Sequence, residues 1–149
     1  MEPTDLAYLA GIIDGEGYFM VTTKSRTFGL RVAVIDACLI DWLHDHFGGC
    51  RSVGGRSTSD NQVYTWTLQR QSALLPVLRG MLPFLVIKRR QAEAMIELIE
   101  HLQAMPRWDT PSSSLSPQQR LRENRRARRQ EWSARSMELR AVVKAVRRV

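Results

Sequence analysis

The stretch LAYLAGIIDGEGYF, Leu6 through Phe19, constrains this chain more than any other. Its apolar run has helical spacing and ends in two acids alternating with two glycines, Asp14, Gly15, Glu16 and Gly17, before passing directly into an aromatic pair. A helix that only has to stop needs one glycine and, if any charge, a basic one, because the carbonyl end of a helix is electronegative and repels acids. Carboxylates there need another reason. The same helix, capped by Thr4 or Asp5, carries Ala7, Ala10, Gly11 and Gly15 along one flank, small enough for another backbone to approach closely.

Periodicity orders the rest. From Tyr18 to Lys24, Phe19 and Val21 alternate with Tyr18, Met20, Thr22 and Lys24, as in a half-buried strand, and after a turn Leu30 to Ile35 returns as a second strand. A helix with Leu39, Trp42, Leu43 and Phe47 inward stops at Gly48 and Gly49; a second hairpin follows, near Cys50 to Gly54 and Gln62 to Arg70. Ser72 to Leu85, with Pro76 in its first turn, and Lys88 to Met105 read as helices. The expected order is α-β-β-α-β-β-α-α over residues 1–105, with a Pro/Ser/Thr-rich linker over 106–117 and an amphipathic, arginine-rich helix over 118–149 whose sparse apolar positions are Leu121, Trp132, Leu139, Val142, Val143 and Val146.

Charge narrows the function classes. The net charge is +7 over 149 residues, and residues 106–149 hold 12 basic against 4 acidic side chains, so the excess lies in the tail. Yet Lys24, Arg26, Arg31, Arg51, Arg56 and Arg70 fall in the expected strands, where Asp60 is the only acid, and a basic sheet has a polyanion as its natural partner. No apolar run approaches a membrane span and no signal peptide is evident, which sets the expectation of a cytoplasmic or organellar matrix protein. Two cysteines, Cys38 and Cys50, read as reduced thiols, and His44, His46 and His101 as surface residues of helices.

LAGIIDGEG, Leu9 to Gly17, resembles the name-giving motif of the LAGLIDADG homing endonucleases, with Gly15 in place of an alanine and Glu16 in place of the second aspartate. PFLVIKRRQAE, Pro83 to Glu93, is similar to the family's later segment, which carries a basic residue ahead of a core helix. The resemblance covers about residues 4–105. It implies an α+β fold, α-β-β-α-β-β-α with a curved antiparallel DNA-binding sheet, to which this chain adds a C-terminal basic helix. It also implies that the motif helices of two copies pack at a twofold axis, with Ala7, Ala10, Gly11 and Asp14 at the interface. One motif in the chain corresponds to the members that act as homodimers on long, nearly palindromic double-stranded DNA.

The implied activity is a divalent-metal-dependent double-strand cut. Glu16 and the carbonyl of Gly15 are the expected ligands for Mg2+ or another divalent cation, since magnesium accepts few protein carboxylates and fills its shell with phosphate and water. Asp14 is read as structural before it is read as a ligand, and Lys88 matches the family's active-site lysine, with Arg89 or Arg90 as substitutes if the register slips by one. Members often carry Gln or Asn near the end of the second strand, where Val34 and Ile35 stand here. Either Asp36, the nearest polar group, takes over that catalytic role, or that part of the water network is missing. The sheet would read the major groove through Tyr18, Thr22, Lys24, Arg26, Arg31, Arg51, Arg56, Arg70, Thr65 and Thr67. The tail reads equally as a clamp on the DNA backbone, an RNA contact or a solvated helix, and a non-cleaving binder of the same fold, such as an intron maturase or transcription regulator, is the rival to the nuclease.

Overall fold

The computed structural model describes residues 1–21, 27–56, 60–104 and 134–145, with isolated positions at 116, 118, 119 and 122. Helix α1 spans Pro3–Gly15. Its buried positions, Leu6, Leu9, Ala10 and Ile13, recur every three or four residues and make one apolar face. Glu2, and neither Thr4 nor Asp5, holds the N-cap position, because Pro3 opens the helix ahead of both. Strands β1 (Gly17–Val21) and β2 (Phe28–Val34) follow, then α2 (Ala37–Phe47), β3 (Cys50–Arg56), β4 (Gln62–Leu68), α3 (Gln71–Met81), a 3-10 turn at Leu82–Phe84, α4 (Arg89–Ala104) and α5 (Ala134–Lys144). Pro76 lies in the second turn of α3.

The four strands form one antiparallel sheet in the order β1-β2-β4-β3. Phe19, Phe28, Leu30, Val32, Trp66 and Leu68 from the sheet meet helix residues such as Ile13, Leu43, Leu78 and Met95 in one core. The sharp exit from α2 needs Gly48 and Gly49, both at positive φ, and a side chain on Gly49 would meet the Thr67 carbonyl at 2.6 Å. Trp66 seals this corner by donating its indole N–H to the Gly48 carbonyl at 2.7 Å.

The boundary at residue 105 does not mark the edge of the core. Leu139 and Val143 of α5 belong to the same buried cluster, and Arg140 is buried rather than solvated. The linker segment and Leu121, Trp132 and Val146 lie outside the described residues. Among the described residues no helix is long and apolar enough to cross a membrane, and both cysteines are free and exposed.

Candidate active site and nucleic-acid face

Two helix ends cap each other. The Asp14 carboxylate, in the last turn of α1, accepts from the three backbone amides that lead into α4: Oδ2 from Val86 at 2.7 Å and Ile87 at 3.1 Å, and Oδ1 from Lys88 at 2.9 Å. In return Lys88 Nζ donates to the carbonyls of Ile13 and Gly17, each at 2.7 Å. An acid at the negative end of α1 is thus explained by the positive end of α4, where it is favoured. Lys88 does for α1 what a C-terminal basic residue normally does, from a position remote in sequence. Burial pushes the Lys88 ammonium below its ordinary 10.5, and the neighbouring charges of Asp14 and Glu16 offset only part of that fall. An ammonium has three donors and two are engaged, so one N–H remains. Arg89 turns instead to Glu93, 3.2 Å away.

Glu16 differs from Asp14 in every respect. It is exposed, it follows the helix as its C-cap, and only its backbone N–H is held, by the Ile12 carbonyl at 2.8 Å. Gly17 fixes the exit: a Cβ there would lie 2.5 Å from Ile13 Cδ1 and 2.7 Å from Ile13 Cα, so only glycine lets β1 start against the helix. Gly15 is exposed, and Lys88 does not take its carbonyl.

The exposed side of α1 carries Tyr8, Gly11 and Gly15, with Ala7 half-buried beside them. Ala10 belongs to the opposite side, fully buried in its own chain's core, and so is not available to a second copy. Asp14 likewise serves the α1–α4 junction within the chain. A Cβ on Gly11 or Gly15 would meet nothing within 4 Å, so nothing in the described chain requires glycine at these positions. Beyond the helix end, Val86 and Ile87 are 84% and 68% exposed, since the turn that presents their amides to Asp14 leaves their side chains uncovered.

Sheet register decides which side chains face away from the helices. Tyr18, Arg31, Thr67 and Cys50 form one outward row, and Ala33, Thr65 and Ser52 the next. Arg31 lies over the Tyr18 ring, 5.9 Å from its centroid. Arg51 does not join them. It stands opposite the buried Trp66, on the helix side, and is ion-paired to Asp41 of α2. Arg56 stands opposite Gln62, in the same alternation as Trp66, and its Nη1 bonds both oxygens of Asp60, at 3.0 and 2.9 Å. Thr65 faces outward but is 2% exposed. Arg70 lies off the sheet as the exposed N-cap of α3. Thr22, Lys24 and Arg26 lie outside the described residues.

Sequence reasoning missed Cys50 and Ser52 as outward positions of β3, and the signal that finds them is the pairing of β3 with β4. Asp36 caps α2, its Oδ1 accepting from Cys38 at 2.8 Å and Leu39 at 3.3 Å, which accounts for an acid there without a catalytic role.

No family model matches the chain, and no curated protein matches its sequence. Solved structures do match in three dimensions. The homing endonuclease I-CvuI, in complex with its target in the presence of 2 mM Ca, aligns over 99% of this chain and 87% of its own, with TM-score 0.60 and 16% identity. The archaeal intron-encoded homing endonuclease I-Vdi141I, complexed with DNA, aligns over 69% of this chain and 71% of its own, with TM-score 0.55 and 18% identity. The LAGLIDADG meganuclease I-AabMI, bound to uncleaved DNA, aligns over 69% of this chain but 37% of its own, with TM-score 0.54 and 17% identity. The chain has the α+β fold of the LAGLIDADG homing endonucleases.

Proposed function

We propose that this chain is one subunit of a homodimeric, site-specific DNA endonuclease of the LAGLIDADG type that depends on a divalent cation. The observation that carries the reading is the unequal use of the two motif acids: Asp14 is spent on three backbone amides, whereas Glu16 is left exposed beside the Lys88 ammonium. Among the described residues no three His, Cys, Asp or Glu side chains cluster to hold a metal, so one copy supplies no closed cage. A Glu16 carboxylate from each of two copies, with the Gly15 carbonyls, fits magnesium better than any soft-ligand metal, the substrate's phosphates and water filling its octahedron. When bound, such a cation makes a water nucleophilic near neutral pH and relieves charge on the leaving oxygen. Lys88 keeps the junction of α1 and β1 fixed and has one N–H left to offset charge on a phosphate.

Two features support a second copy at α1. A glycine inside a helix costs roughly 1 kcal/mol relative to alanine, and at Gly11 no described residue stands where a Cβ would go. Exposed Tyr8 lies on the same side, and exposed Val86 and Ile87 flank the helix end, where a twofold partner would cover them. The outward row of Tyr18, Arg31, Thr67 and Cys50, with Ser52, is the surface assigned to base edges in the major groove, and Thr22, Lys24 and Arg26 extend that assignment. A second reading, a binder of the same fold that does not cut, draws on Val34 and Ile35 in place of the usual Gln or Asn. Selection on a randomised duplex library in magnesium separates the two. Defined double-strand cuts that disappear with EDTA are expected, and enrichment of bound sequence without cutting would favour the binder.

A further inference from the structure

Arg140 comes from the arginine-rich tail, yet it is only 5% exposed. Its guanidinium lies over the Phe28 ring, 5.7 Å from the centroid. Phe28 is itself buried at the start of β2, opposite Val21 of β1. Helix α5 is tied to α4 near both of its ends: Arg135 Nε donates to Glu97 Oε1 at 2.9 Å, and the buried Gln91 donates through Nε2 to the Val143 carbonyl at 3.1 Å. A buried arginine gives up its hydration, an exchange that a residue contributing only surface charge would not need. Against an aromatic face the cation recovers part of that cost, and the contact holds the two elements together. Three residues along β2 from Phe28, on the other side of the sheet, Arg31 lies over Tyr18.

We propose that α5 is a strut behind the β1–β2 hairpin and that Arg140 is its positioning residue, so that the C-terminal helix acts on DNA reading through the sheet and makes no phosphate contact at this position. The part that concerns DNA rests on the endonuclease reading. The strut itself does not.

Hydrogen–deuterium exchange on the full chain tests the strut directly. Arg140→Met keeps the stem and removes the cation, and should speed exchange in β1 and β2 by about tenfold while α2 amides are unchanged. Arg140→Lys should recover most of the protection, and Phe28→Leu, which keeps apolar volume without a ring, should loosen the same two strands. Unchanged exchange in β1 and β2, or a uniform rise that includes α2, would overturn the proposal. On a selected target duplex, Arg140→Met should bind about tenfold more weakly with the same salt dependence; a slope of log affinity against log salt smaller by about 0.9, the mark of one lost phosphate contact, would make α5 a clamp instead. If the wild type binds no duplex specifically, the endonuclease reading fails, and the exchange result still decides the strut.

Discussion

Replacing Asp14 by alanine removes the acceptor for three amides at once, and the structure sets the size of the effect. A hydrogen bond to a charged group contributes about 1.5–3 kcal/mol when its partner stays buried. The amides of Val86 and Ile87 belong to exposed residues and can turn to water, whereas that of Lys88 is half-buried. The sum is therefore well below three full bonds, about 2–4 kcal/mol, which includes the loss of an acid at the start of α4. For a chain of this size that lowers Tm by about 6–15 °C. Asp14→Asn keeps one acceptor oxygen and should lose about half as much. Glu16→Ala should leave stability unchanged, because its side chain is exposed at the negative end of α1, where an acid is if anything unfavourable. Urea and thermal unfolding of the three variants measure this directly. An Asp14→Ala protein within about 0.5 kcal/mol of wild type, or a Glu16→Ala protein as destabilised as Asp14→Ala, would refute the division of the two acids.

Gly11→Leu should fold normally as a monomer, since its Cβ meets nothing, but should fail to dimerise in sedimentation; Gly17→Ala should lose stability because its Cβ collides with Ile13. Arg31→Ala should weaken target binding by about tenfold or more, whereas Arg51→Ala, which breaks a pair with Asp41 on the helix side, should leave affinity and salt dependence as they were. Equal losses for the two would contradict the sheet register. Burial lowers the Lys88 pKa, so as pH approaches 10.5 the folded chain releases this proton while the unfolded chain still holds it. Stability then rises with pH across that window. The difference between wild type and Lys88→Met in urea should move in the wild type's favour as pH rises toward 10.5, and the opposite drift would contradict burial as the cause.

What the sequence revealed depended on whether the deciding contact was local. Helix α1 is written in the spacing of Leu6, Leu9, Ala10 and Ile13, and the alternation of Phe19 and Val21 with Tyr18 and Met20 marks both faces of β1. The orientation of β3 is not written this way. Cys50–Arg56 is exposed along its whole length, so no apolar alternation tells its inner side from its outer, and only pairing with Trp66 shows that Arg51, an outward candidate by sequence, stands on the helix side. Ala7, Ala10, Gly11 and Gly15 look alike as small residues, and only packing separates buried Ala10 from the exposed stripe. Asp14 reads as structural in the sequence, but the partners that make it so are amides 72 to 74 positions away. Arg140 belongs to the arginine-rich tail by composition, yet it is buried with its guanidinium over Phe28, more than a hundred positions earlier in the chain.

Glu16→Gln isolates the chemical role of the exposed motif carboxylate. The substitution keeps size and polarity, removes the negative charge, and touches no bond that holds the fold together. Binding and cleavage of a selected target duplex should be measured side by side in magnesium, for wild type and variant. The variant should bind with wild-type affinity and fail to cut. Cutting at the wild-type rate would mean that the exposed carboxylate has no part in the chemistry.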